Sequence, residues 1–370
     1  MIVRADLHLV ELPLKFRFET SFGVQTDRLV PILELHDVDG AVGVGEGVMD
    51  GDWPLYREEH MAGAMPLVQR MLDELVVGRP FTTPHELAAR FAHLRGNRMA
   101  KAMIEMAAWD LWGRRLGRPI RDLIGGRGDA VATGVSLGIQ PSLEATLDIV
   151  GRHVDLGYRR IKLKIKPGWD LAPLTAVRAE HPTLTMTADA NSAYSLADAG
   201  HLRRIDAVGL DYIEQPLAWD DVLDHARLAQ LIDTPICLDE SVADARSARQ
   251  AIEAGAARVI NLKLGRVGGF AEAVAIDAVA RASGVPLWCG GMLETGIGRA
   301  GNIHVATLPS FTKPGDISSA SRYWDVDLIE EPLETVDGMM AVPEEPGTGV
   351  TLAREVVERF RRSVVTLTAA

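Results

Sequence analysis

The feature that most constrains this chain is a repeat of charge. Lys164, Asp189, Glu214, Asp239 and Lys263 each stand at the end of a short apolar run, and they follow one another at intervals of 25, 25, 25 and 24 residues. The runs are RRIKLKI, LTMTADA, LDYIEQ, TPICLDE and RVINLK, with VATGVSLGI before them, VPLWCGG after them and helical stretches between. A strand and a helix in each interval make one β/α unit, and such alternation over roughly two hundred residues calls for a parallel sheet. Its regularity favours a closed barrel over an open doubly wound sheet. The last position of a barrel strand lies at the C-terminal mouth, where groups from different strands converge. Five charged residues at one register are costly to bury unless paired or metal-bound, so plain core packing explains them poorly. A structural ring of ion pairs is the competing explanation.

Before the barrel, residues 1 to about 50 alternate apolar and polar as two or three strands, as in LVPILELHD and AVGVGEG, joined by polar segments around Phe22 and Gly40. MAKAMIEMAAWDLWGRRLG then places Met99, Met103, Met106, Ala107 and Leu111 at helical spacing, with Gly117 and Pro119 as a stop. This stripe reads as core packing. The pattern predicts a separate α+β domain over residues 1–128 and a catalytic β/α barrel over residues 129–325. The proline- and turn-rich tail, 326–370, is expected to fold back on the N-terminal domain.

Composition removes several classes of function. The formal net charge is -12 with both signs interspersed, which offers no basic field for a phosphate backbone, so nucleic acid is not an expected partner. Cys237 and Cys289 each lie in an apolar run, where burial in a reducing cytoplasm is the expectation. The N-terminus lacks the continuous apolar core of a secretory signal, and no apolar stretch is long enough to span a bilayer.

Asp189, Glu214 and Asp239, on three consecutive strands, make an all-oxygen ligand set suited to one hard divalent ion, Mg²⁺ or Mn²⁺. No histidine stands at these strand ends, which disfavours zinc, and His304 reads as a satisfied helix or core residue. Lys164 ends the second strand and Lys263 the sixth, so the two amines are expected on opposite sides of the mouth. Lys162 points the same way as Lys164, and Asn191 lies just beyond its strand, within reach of substrate or a ligand carboxylate. A substrate carboxylate gains a second negative charge when its alpha carbon is deprotonated, and a cation with Lys162 beside it would stabilise that enediolate. The crowding of positive charge is expected to lower the lysine pKa values, with the fixed charge of Arg266 modulating Lys263. GIGRAG, residues 296–301, matches a dinucleotide fingerprint literally but lies near the end of the barrel. It is read as a tight helix start whose amides hold an anion.

Together, KLK at 162–164, DAN at 189–191, EQP at 214–216, DES at 239–241 and NLK at 261–263 resemble the enolase superfamily, in its muconate lactonizing enzyme subgroup, across essentially the whole chain. The resemblance implies a modified TIM-like barrel of the (β/α)7β kind under an N-terminal capping domain, with TSFG at 20–23 as a lid loop. A mandelate racemase-like enzyme would carry a His/Asp pair where this chain has a lysine. KFRFETSFGVQT, RIKLKIKPGWD, WCGGMLETGIGRA and PGDISSASRYW resemble the o-succinylbenzoate synthases and N-succinylamino acid racemases. That implies a cytoplasmic homo-oligomer acting on small carboxylates, with a link to menaquinone biosynthesis. Ser136, Asn191, Gly291 and Leu293 would contact substrate, and Met49 and Tyr56 would lie near the lid. Gly301 departs from the pattern, which places a bulkier polar residue there. A dipeptide epimerase or a cycloisomerase of the subgroup is the alternative, although an epimerase needs an acidic pair where GGMLETGIG offers only Glu294. An inactive scaffold on this fold is the non-enzymatic one.

Overall fold

Period-two alternation at the N-terminus is realised as an antiparallel sheet. A computed structural model describes residues 1–21, 23–51, 53 and 56–369. Strands β1 (Ile2–Glu19), β2 (Val24–Asp37) and β3 (Val42–Glu46) pair in sequence, and their apolar positions face the helix Arg98–Leu116. The approach is close: a Cβ on Gly43 or Gly45 would collide with the carbonyl oxygens of Ala107 and Met103. Met99, Met103, Met106, Ala107 and Leu111 are buried, as core packing requires, and the helix stops at Gly117 in the left-handed region (φ 64°).

After β4 (Ala130–Ala132) come seven parallel strands, β5 (Val135–Leu137), β6 (Ile161–Lys164), β7 (Met186–Asp189), β8 (Ile213–Glu214), β9 (Ile236–Leu238), β10 (Val259–Leu262) and β11 (Leu287–Cys289), hydrogen-bonded in strict chain order. A helix follows each. The irregular segment 310–316 closes the ring. On one side the Leu287 and Asp316 amides donate to the carbonyls of Ser310 and Cys289, and on the other the Gly315 and Gly134 amides donate to those of Ala132 and Gly315. Alternation sends Ile161, Leu163, Ile213 and Leu238 outward into the main core, while the opposite parity points into the barrel. There Tyr212, Cys237, Val259 and Trp288 form a separate buried plug beneath the mouth, and both cysteines are free.

In the tail, β12 (Thr335–Val336) and β13 (Met339–Ala341) extend a small sheet with β4, and β14 (Arg361–Thr368) pairs antiparallel with β1. Among the described residues no helix is long and apolar enough to cross a membrane.

Candidate active site

Backbone pairing sets Lys164 opposite Asp189 and Asp189 opposite Glu214. Beyond that point the single register expected from the spacing breaks. Glu214 faces Cys237 and Cys237 faces Val259, so Asp239 and then Lys263 each stand a further two residues along their strands. A sheet closes into a barrel only if its strands tilt and stagger. A step of two leaves every side chain on the same face, so all five still point inward.

The groups so gathered are buried, and Asp189, Glu214 and Asp239 are each 0% exposed. Lys162 Nζ donates to Glu214 at 2.7 Å and lies 2.8 Å from Asp316 and 3.2 Å from Asp189. Lys164 Nζ donates to Asp189 at 2.6 Å and to the side-chain oxygen of Asn191 at 2.8 Å. Lys263 Nζ donates to Asp239 at 2.7 Å and to the hydroxyl of Tyr56, which itself donates to Asp239 at 3.0 Å. Asn261 fixes the other oxygen of Glu214 at 2.6 Å.

Burial opposes ionisation of Asp189, but Lys164 and Lys162 outweigh it and hold that carboxyl well below its ordinary value. Glu214 is pushed up to about 8 by burial and by the charge of Asp189. The lowered lysine pKa expected from the sequence is not found at Lys162. Burial would lower it, yet Asp316, Glu214 and Asp189 raise it well above the ordinary lysine value, because its immediate neighbours are chiefly anions.

The donor set fits a hard divalent cation. It has three buried carboxylates with no histidine or cysteine completing the set among the described residues, one of the three resists ionisation beside its neighbours, and lysine ammonium groups already face their oxygens. Asp6, His8 and Glu34 of the capping sheet place ligand atoms within 4.8 Å of one another, a closer grouping than the three barrel carboxylates make with lysine ammonium groups against them. The capping-sheet carboxylates are already engaged: Glu34 with Arg354 at 2.7 Å, and Asp6 with His36 at 2.9 Å.

Above the carboxylates lies a cleft lined by the three lysines together with Tyr56, Ser136, Gly291 and Leu293. The Ser136 hydroxyl is buried without a partner, and Leu293 holds φ at 58°. A Cβ on Gly291 would lie 3.1 Å from the Asp316 carbonyl oxygen. Thr20 and Gly23 of the expected lid also line the cleft, while Phe22 lies outside the described residues. Asn191 is turned toward Lys164 and donates to Glu240 at 3.1 Å. Met49 is fully buried in the core of the capping domain, in the same cluster as Met292, which is the methionine lining the cleft.

Arg266 is buried, bonded to Asp239 at 2.5 Å and to Glu58 at 3.0 Å, so it touches the same carboxylate as Lys263. The GIGRAG segment opens the helix Gly296–Val305, and the acceptors at its amides are the protein's own carboxyl groups. Glu46 accepts from Thr295 at 3.0 Å and from Gly298 at 2.8 Å, and Asp327 accepts from Gly296 at 2.7 Å. His304 is satisfied by the Arg121 amide and the Thr348 carbonyl oxygen, and burial pushes its pKa down to about 4. Gly301 faces Leu264, Met106 and Phe270 behind the mouth.

Sequence reasoning missed Asp316, the carboxylate of the closing segment, which joins Arg160 at 2.5 Å to Lys162. Its only signal is its place 27 residues after Cys289, close to one β/α interval.

Comparison with known proteins agrees with this geometry. The mandelate racemase / muconate lactonizing enzyme N-terminal domain matches residues 2–125, and the enolase C-terminal domain-like family matches residues 146–356. The chain is 58% identical to an N-succinylamino acid racemase of Thermus thermophilus, over 97% of this chain and 96% of that protein. It is 46% identical to an o-succinylbenzoate synthase of Geobacillus kaustophilus, over 96% and 94%. Among solved structures, an enolase superfamily member from Listeria innocua superposes with a TM-score of 0.95 at 38% identity, covering 99% of both chains. The muconate lactonizing enzyme of Pseudomonas fluorescens, complexed with muconolactone, does so with a TM-score of 0.92 at 29% identity, covering 98% of this chain and 99% of that one.

Proposed function

The chain belongs to the enolase superfamily, in the branch of mandelate racemase and muconate lactonizing enzyme, and we propose that it racemises N-succinyl amino acids and forms o-succinylbenzoate by dehydration. The observation that carries this reading is the pair of amines, Lys164 and Lys263, borne four strands apart on one rim and lining one cleft, with buried carboxylates between them. Residues 129–325 carry the chemistry, and residues 1–128 with the tail 326–370 form the cap.

Both reactions begin by removing the proton alpha to a carboxylate, so one site serves both. Asp189, Glu214 and Asp239 would hold one divalent ion, Mg²⁺ or Mn²⁺. When bound, that ion supplies positive charge against the substrate carboxylate as the enediolate forms. Lys164 and Lys263 take and return the proton on opposite faces of the alpha carbon. Lys162 adds a fixed ammonium beside the developing charge, and Tyr56 covers the Lys263 side. Ser136, Asn191, Gly291 and Leu293 shape the substrate's surroundings. An epimerase reading is disfavoured because Glu294 turns its carboxylate back to the Met292 amide at 2.6 Å. The enzyme works in the cytoplasm as a homo-oligomer.

The test is to assay the purified protein with Mg²⁺ or Mn²⁺ against N-succinylphenylalanine and against the o-succinylbenzoate precursor, comparing the two specificity constants. Turnover of neither substrate with either metal would overturn the reading.

A further inference from the structure

Asp316 lines the cleft beside the three lysines, yet the chemistry above gives it no part. One of its oxygens lies 2.8 Å from Lys162 Nζ, and the other accepts from Arg160 at 2.5 Å. Arg160 is fully buried, donates also to the Pro314 carbonyl oxygen at 2.7 Å, and shares the face of Trp288 with Lys162, the two cations lying 4.8 and 4.7 Å from the ring centre. The Asp316 amide donates to the Cys289 carbonyl oxygen at 2.8 Å. Backbone and guanidinium together therefore fix this carboxylate in place. Burial opposes its ionisation, but Arg160 and Lys162 outweigh it and hold the carboxyl well below its ordinary value.

The Lys162 ammonium has three N–H groups and three carboxylate neighbours, Glu214, Asp316 and Asp189. Two of these are proposed ligands of the divalent ion. An ion held there claims the oxygens on which Lys162 now leans, and its charge repels the ammonium. Only Asp316 stays free to hold it. Because Arg160 and Lys162 carry two positive charges against the single negative charge of Asp316, the group keeps a positive field toward the cleft.

We infer that Asp316 is a positioning residue, which anchors Lys162 at the cleft while Asp189 and Glu214 are committed to the ion and so keeps an ammonium where the enediolate charge develops. The inference rests on the reading of the cleft proposed above. It is tested by calorimetric titration of metal-free protein with Mg²⁺ in the wild type, Asp316→Asn, Lys162→Met and the double variant.

In Asp316→Asn, Lys162 is left with ion ligands as its only carboxylate partners, so Mg²⁺ should bind about tenfold more weakly, the scale of one charged hydrogen bond. In the Lys162→Met background the same replacement should change the affinity by about twofold at most. An equal loss in both backgrounds would make Asp316 a through-space charge and overturn the inference, as would no loss in either. If the asparagine variant does not fold, Asp316→Ser takes its place in the cycle. With Mg²⁺ saturating, Asp316→Asn should lower kcat for racemisation by about tenfold or more with KM little changed, and Asp316→Glu should keep part of the rate. An unchanged kcat also overturns the inference. Wild-type protein that shows the expected Mg²⁺ cycle yet turns over neither substrate would sink the proposed reaction while upholding the anchor, and wild-type protein that binds no Mg²⁺ would sink both.

Discussion

Replacing Glu105 with alanine should strip one acceptor from three donors at once. Glu105 lies on the helix Arg98–Leu116 and is 1% exposed. It accepts from the Phe270 amide at 2.7 Å, the Ala271 amide at 2.8 Å and the Trp109 indole at 2.7 Å. The two amides open the barrel helix Phe270–Ser283, whose N-cap, Gly269, has no side chain to offer, so the capping domain supplies the cap. Each buried donor left unpaired costs about 1–3 kcal/mol, and water reaching part of the vacated space brings the total to about 3–6 kcal/mol.

Glutamine keeps one oxygen for the donors and should cost about 1–3 kcal/mol. It also removes a titration. Burial, partly offset by the three donors, raises the Glu105 pKa from 4.5 to about 7. The folded state therefore binds more protons than the unfolded one between those values. The associated stabilisation, about 3 kcal/mol, is fully present below the unfolded value and is lost as pH rises through about 7. Urea unfolding followed by intrinsic fluorescence at pH 5 and pH 8 measures all of this. The wild-type advantage over Glu105→Gln should be large at pH 5 and shrink at pH 8. An alanine variant within about 1 kcal/mol of wild type, or a glutamine gap independent of pH, would refute the reasoning.

Lys164→Ala and Lys263→Ala should each lower racemisation by ~100-fold or more. Each variant should retain alpha-proton exchange in D₂O with one enantiomer only, and exchange of the same enantiomer by both would exclude two opposed bases. Chelation should abolish turnover, with Mg²⁺ or Mn²⁺ restoring it; undiminished activity in a rigorously metal-free sample would remove Asp189, Glu214 and Asp239 from a metal-binding role. Arg266→Gln frees one oxygen of Asp239 and takes a fixed charge from the Lys263 side, so racemisation should suffer more than dehydration. Equal losses in the two reactions would make Arg266 merely structural.

The barrel was legible because each charged strand end follows an apolar run, and Lys164, Asp189 and Glu214 do stand at one pairing level. The climb to Asp239 and Lys263 was not legible, because stagger belongs to the closed sheet and leaves no mark on residue spacing. Asp316 escaped notice for a related reason: its segment, PSFTKPGD, is irregular, has two prolines and lacks the β-branched run that signals a strand. The resemblance brings Met49 and Tyr56 together near the lid, and only the folded chain distinguishes them, with Met49 in the capping core and Tyr56 over Asp239.

Glu46 and Glu105 both reach from the capping domain onto the amides that open barrel helices. Swinging the cap away as a rigid body would strand all of these buried donors together, at about 1–3 kcal/mol each. The two halves are therefore expected to keep this seam shut through the catalytic cycle. The amides of Thr295 and Gly298, held by Glu46, should accordingly resist hydrogen exchange as well during turnover as at rest.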